Sequence, residues 1–369
     1  MADDVPDDEL PSEQTASRQS DPEVVTVGAA TVDRHYAVSN LPEPDGGAFA
    51  DEVTDRFGGV AANVATACAR LGRAAGLLTR VGEDDVGDRV LADLREGPLD
   101  LTRLRRADDV STHCLVLRDD AGRRSIVTAG DSVRNLRLDA ADRPYLAGAD
   151  VVFVTAYAPD AVHQQLLSWA EDPSFPPVVF DLSGPLSELA GRGATRASID
   201  AWVDRAAVFV VGRVAAESYL GCAGRDAAVE LAARGVDRAA VTNGDDGATL
   251  VAPAEESASS ESTTTADESV SVVDVSEGDE KRRLVAHPAF DVSVVDETGA
   301  GDAYVAGLIH AWLLNGERPR AAGSVAAATA AINCTAVGAR GDLPTAERVA
   351  AFRSRRSTDD DSEMDNSDS

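Results

Sequence analysis

Three small residues ahead of an acid, Gly299-Ala300-Gly301-Asp302, stand in the segment DETGAGDAYVAG, Asp296 to Gly307. These residue types suit delivery of phosphate to a hydroxyl. Glycines let main-chain N–H groups approach an anion closely, and a following helix, read as Ala303 to Asn315, adds the positive end of its dipole. An acid in that first turn could take the proton of an attacking alcohol. It could equally be an ordinary helix cap, and the residues alone leave both readings open.

A second cluster, Gly58-Gly59 followed by Asn63, lies where an alternating pattern hands over to a helix read as Val60 to Gly72. A glycine pair can hinge there and Asn63 can hydrogen-bond a polyol, although an ordinary turn with a polar first-turn residue has the same pattern. Neither cluster has the GxxxxGK[ST] spacing of a P-loop. The first strand, VGAATVD, also lacks the GxGxxG turn that pyrophosphate needs, which argues against a dehydrogenase.

These groups need a scaffold. Glu23–Gly28, Asp150–Thr155, Pro177–Leu182, Ala207–Gly212 and Arg238–Gly244 read as buried strands. Helical patterns at Asp160–Glu171, Thr195–Arg205 and Arg225–Arg234 fall between them. That alternation predicts an α/β fold with a mostly parallel sheet and helices on both faces, its ligands gathered beyond the carboxyl ends of the strands, near Asp33, Asp181 and Asn243. A further strand is expected to end near Val295, just before the glycine run. Around residues 34–58 and 111–130, polar and apolar residues alternate about turn signals, so antiparallel hairpins are expected to project as a lid.

The formal net charge is -30, and of the basic residues only Lys281 is a lysine. Such a surface repels nucleic acid and anionic lipid, and it predicts a halophilic protein whose charges are screened by salt. Cys68, Cys114, Cys222 and Cys334 are too scattered for a zinc site or a disulfide framework and read mostly as core residues. There is no apolar run long enough for a membrane span and no secretion signal, so a cytoplasmic location is expected. Residues 1–22 and 357–369 read as disordered acidic tails flanking one domain over 23–356, and about 253–282 as an acidic loop inserted in a hairpin.

Taken in order, FGGVAANVATACARLG near the front and VVDETGAGDAYVAG near the back resemble the ribokinase-like, or PfkB, family of carbohydrate kinases, over about Val24 to Phe352. The resemblance implies a three-layer α/β/α core with a small β-sheet lid, and ATP-dependent phosphorylation of a sugar hydroxyl. It implies Asp302 as the base and Gly299, Ala300 and Gly301 as an anion hole. Asp33, Gly58, Gly59 and Asn63 become the substrate side; Thr242, Asn243, Gly244 and Gly247, with Asn333, become the nucleotide side. It further implies Mg²⁺, a monovalent cation near Asp296 and Thr298, and a homodimer joined through the projecting sheet.

The family's Asn-x-x-Glu motif, tied to Mg²⁺ and phosphate, has Gly212 and Ala215 at its two positions here, with Glu217 as the nearby substitute. Asp131 also stands where alanine and then asparagine are common. A nucleoside kinase is the alternative within the family. A sugar- or nucleotide-binding sensor that has lost catalysis is the alternative outside enzymes.

Overall fold

The computed structural model describes residues 21–257, 272–277 and 280–364, with side chains described outside 256–281 and up to 355. Most of the acidic N-terminal tail, the middle of the acidic insert and the last five residues lie outside that range. Among the described residues, no helix is long and apolar enough to cross a membrane.

In chain order the strands are β1 (Val24–Val27), β2 (Thr31–Val38), β3 (Ala50–Gly58), β4 (Ala75–Gly82), β5 (Leu104–Ala107), β6 (His113–Asp119) and β7 (Arg124–Ala129). There follow β8 (Val151–Thr155), β9 (Val178–Leu182), β10 (Val208–Gly212), β11 (Ala239–Thr242), β12 (Ala248–Pro253), β13 (Val272–Glu277) and β14 (Glu280–His287). A ten-stranded sheet runs β13-β14-β12-β11-β10-β9-β8-β1-β4-β5. It is parallel from β11 to β5 and antiparallel at the β11, β12, β14 and β13 end.

Alternation along the parallel strands builds two apolar layers. Val25, Val152, Phe180 and Phe209 face one side and pack with Trp202 and Ile199. Val24, Phe153, Val179 and Val210 face the other and pack with helices Val60–Arg70, Ala300–Leu308 and Pro319–Asn333. Strands buried on both faces need no polar positions, which is why their sequences read as continuous apolar runs. The three-layer core expected from the sequence is present.

β3-β2-β6-β7 form a separate four-stranded sheet. The two expected hairpins are joined into it by parallel pairing of β2 with β6. Asp33 therefore lies on a strand of this projecting sheet, not on a loop beyond the first core strand.

Four other expectations are corrected. Residues near Val295 form no strand; the Val295 and Asp296 N–H groups both donate to the Cys334 carbonyl, at 2.8 and 3.2 Å, so the segment is held by a turn after a helix. The acidic insert, read as a loop over 253–282, is paired at its far end, where β13 forms an antiparallel edge with β14. The helix expected at Ala303 to Asn315 begins earlier, as Ala300–Leu308, and continues as a wider π turn through Ile309–Leu314. A last helix, Ala346–Met364, runs into the segment read as the C-terminal tail.

Candidate active site

A cleft of about 1240 Å³ opens between the projecting sheet and the carboxyl ends of the core strands. Asp33, Gly59, Asn63, Thr242, Gly299 and Asp302 all line it. Residues 33 and 302 thus face one cleft, the first from strand β2 of the projecting sheet and the second from the start of helix Ala300–Leu308.

Asp302 occupies the first turn of that helix, and Asn63 occupies the first turn of helix Val60–Arg70. The two side chains meet where the helices abut: Asn63 Nδ2 donates to Asp302 Oδ2 at 2.7 Å. Burial pushes the Asp302 carboxyl up to about 7; the Asn63 bond and the Arg340 charge oppose this, while Asp181 and Asp33 add to it. A group with that pKa is well matched to proton transfer near neutral pH.

Gly299 caps the helix in the left-handed region, φ 76°, and a Cβ there would run into the Ala339 carbonyl. Only glycine satisfies both demands without strain. The Ala300 N–H is already used, donating to Glu297 O at 3.1 Å, so it is not a free member of the expected anion hole. The N–H groups of Gly299, Gly301 and Asp302 have no partner among the described residues. The main-chain donors available to an anion are thus displaced partly onto Asp302 itself.

On the opposite wall, Thr31 Oγ1 donates to Asp33 Oδ1 at 2.8 Å, which orients the carboxylate. Gly58 leaves room for it, because a Cβ at that position would push the Asp33 carboxylate aside. Asp181 is nearly buried at the end of β9, and burial pushes it up to about 6 although Ser183 Oγ donates to it at 2.6 Å.

Thr242 and Gly244 also line the cleft, while Asn243 and Gly247 shape the turn between β11 and β12. Asn243 Nδ2 donates to Asp246 Oδ2 at 2.7 Å, and its N–H donates to Gly247 O at 2.8 Å. Asn333 does not line the cleft. It is fully buried, and Nδ2 donates to Ala339 O at 3.1 Å and to Thr298 O at 3.4 Å, tying the loop behind Gly299 to the turn before it. Asp296 and Thr298 are bonded to each other, Thr298 Oγ1 donating to Asp296 Oδ1 at 2.7 Å, and Gly338 N–H donates to Asp296 Oδ2 at 2.9 Å. Burial alone would raise the Asp296 carboxyl; these donors hold it below its usual range. Asp131 braces the base of the lid, accepting from Val110 N–H at 2.9 Å.

Glu217 is exposed and absent from the cleft lining, where Gly212, Arg213 and Ala215 stand instead. The described residues contain no group of three His, Cys, Asp or Glu side chains able to cage a metal. Cys114 also departs from expectation: it lines the cleft rather than the core, its thiol pushed up to about 12 by burial and then by Asp33.

Sequence reasoning missed Arg340. Its Nε donates to Asn63 Oδ1 at 2.8 Å, one Nη donates to Asp93 Oδ2 at 2.7 Å and the other to Gly58 O at 3.0 Å. One guanidinium thereby ties Gly58 and Asn63 of the first glycine cluster to Asp93, and its charge acts on Asp302 through Asn63. No local motif marks it, because its partners lie on segments distant in sequence.

The pfkB family carbohydrate kinase model matches residues 21–346. Over 338 residues the chain is 31% identical to an ATP-dependent ribose-1-phosphate kinase of Halopiger xanaduensis, covering 90% of this chain and 98% of that one. Among solved structures, a ribokinase of Arabidopsis thaliana complexed with ribose and ATP is similar at TM-score 0.70 and 18% identity, covering 90% of this chain and 98% of that chain. A putative ribokinase II of E. coli in complex with ATP and Mg²⁺ is similar at TM-score 0.67 and 16% identity, with 90% and 99% covered. The family match across nearly all of the core, over a cleft that gathers both glycine clusters, establishes that this chain belongs to the pfkB family of carbohydrate kinases.

Proposed function

We propose that the protein transfers the γ-phosphoryl group of ATP to a hydroxyl of a sugar, with Asp302 as the base. The observation that carries this reading is the placement of Asp302 on the first turn of a helix, beside unpartnered main-chain N–H groups and in the same cleft as Asp33. Phosphoryl transfer depends on alignment and charge stabilisation more than on covalent help. Asp33 and Asn63 would orient the acceptor, Asp302 would accept its proton, and the N–H groups of Gly299, Gly301 and Asp302 would face the migrating phosphoryl group.

Thr242 and Gly244, lining the same cleft where β11 ends, support a nucleotide beside them. Magnesium would arrive with the triphosphate, whose oxygens and water are its usual ligands. Ribose 1-phosphate heads the list of acceptors because of the relative from Halopiger. The reading extends to a second copy docked on the outer face of the lid, where Val53 and Val127 are exposed, and sedimentation would read that state.

An ADP-release assay in high KCl across ribose 1-phosphate, pentoses, hexoses and nucleosides tests the proposal. ADP release with a sugar acceptor, reduced about 10²- to 10⁴-fold in Asp302→Asn, is expected. Tight acceptor binding with no ADP release would favour a binding sensor instead.

A further inference from the structure

The inner face of the lid sheet gathers positive charge in a chain that has 34 basic and 64 acidic residues. Strand register places Arg56 opposite Asp33, Asp33 beside Cys114, and Arg118 opposite Arg124. Side chains two residues apart share a face, so Asp33, His35, Arg56, Arg118 and Arg124 project from the same side. The opposite side is accounted for separately, where Arg34 and Arg89 both pair with Asp55.

The positive groups reach the turn before Gly299. Arg124 lines the cleft, and its Nη1 lies 3.5 Å from Thr298 Oγ1. Arg118 Nη1 lies 3.7 Å from Asp296 Oδ1. A Cβ placed on Gly338 would be 3.3 Å from Arg56 Nη1, so the Arg56 guanidinium rests against the loop that backs the anion turn. Burial and then the Arg56 charge hold the His35 ring below its usual range.

Arg56 is the informative member. Its Nε is buried with no hydrogen-bond partner, and no ion pair or hydrogen bond of its guanidinium is found among the described residues. The residue as a whole is half-buried, so its charge is not sealed from water, but leaving that one buried N–H unmatched is costly. A bound phosphomonoester would supply the missing acceptors, since guanidinium groups match phosphate oxygens in charge and geometry.

We infer that Arg56 and Arg124 form an anion subsite under the lid that holds a phosphate already carried by the acceptor, so that the substrate class is a phosphorylated sugar rather than a free sugar or nucleoside. This rests on the kinase reading above for the identity of the acceptor, but the subsite itself is a binding claim. The same two arginines could in principle serve phosphate of the donor, and the experiment separates the two sources.

Titration calorimetry at fixed KCl would compare ribose 1-phosphate, ribose and ATP on the wild type, R124M, R56M and R56K. Arg124 is exposed, so R124M should fold even if R56M does not. The expected result is ribose at least tenfold weaker than ribose 1-phosphate, and about 10- to 100-fold weaker ribose 1-phosphate binding in R124M, the loss of a charge-assisted bond. R56K should retain more affinity than R56M, and ATP affinity should stay within twofold in every variant. Equal affinity for ribose and ribose 1-phosphate, unchanged phosphosugar binding in R124M, or a loss confined to ATP would each overturn the inference. If arginine-dependent phosphosugar binding is present but no acceptor yields ADP, the kinase reading fails and the subsite stands. Efficient turnover of free ribose that R124M leaves unchanged would do the reverse.

Discussion

Arg340 Nε donates to Asn63 Oδ1 at 2.8 Å, and this contact decides which end of the Asn63 amide faces Asp302. With the oxygen turned to the guanidinium, the NH₂ group must be presented to the carboxylate. The candidate base is thus oriented from three residues away, through Asp93, Arg340 and Asn63.

Removing this support should change the pH profile as well as the rate. Asn63→Leu deletes the donor that favours the ionised form of Asp302, so the acid limb of kcat/KM should move to higher pH. Arg340→Met should move it the same way and should lower stability by about 1.5–3 kcal/mol, because it strips bonds to a charged group. pH–rate profiles and thermal melts of both variants provide the check; an unshifted acid limb would remove Arg340 and Asn63 from the base's environment.

For the wild type, kcat/KM should rise with pH and level off above about 7, where Asp302 becomes ionised. Stability should respond in the opposite sense. A carboxyl whose folded-state pKa is raised binds its proton more tightly in the folded chain, so its contribution to stability falls between about 3.8 and 7 as pH rises. Asp302→Asn should remove this pH-dependent component and reduce turnover by about 10²- to 10⁴-fold. Denaturant melts from pH 5 to 8, with ADP-release kinetics, would read both effects.

Gly299→Ala combines a left-handed backbone with a collision against the Ala339 carbonyl. The backbone alone should cost about 1–2 kcal/mol, and relieving the collision must shift the turn that carries the free N–H groups. A Tm loss accompanied by a much larger loss of kcat than of acceptor affinity is expected. Wild-type kcat in that variant would contradict the proposed role of the turn.

The thermal midpoint should climb as KCl is added. A net charge of -30 leaves acidic groups repelling one another at low salt, and at about 1 M salt the screening length falls to about 3 Å. Melts in a KCl series, with a neutral osmolyte at matched concentration as control, isolate the screening effect; a flat series would contradict it.

The order of apolar runs and helical patterns was enough to predict the parallel core, because strands buried on both faces carry that pattern locally. Small residues before an acid likewise announced the turn at Gly299, and Asp33, Gly59, Asn63 and Asp302 do converge on one cleft. Period-two alternation, by contrast, is the same in either sheet, so it could not assign Asp33 to the lid. Asn333 and Glu217 lie outside the cleft lining, which a helix pattern could not foretell because it does not say what its polar residues meet: one is buried among carbonyls, the other exposed. Arg340 and Arg56 carry no local signature at all, since what distinguishes each is a set of neighbours, or their absence, that exists only after distant segments pack together. Local periodicity records which face is buried, whereas the pairing of isolated charges is settled by long-range packing.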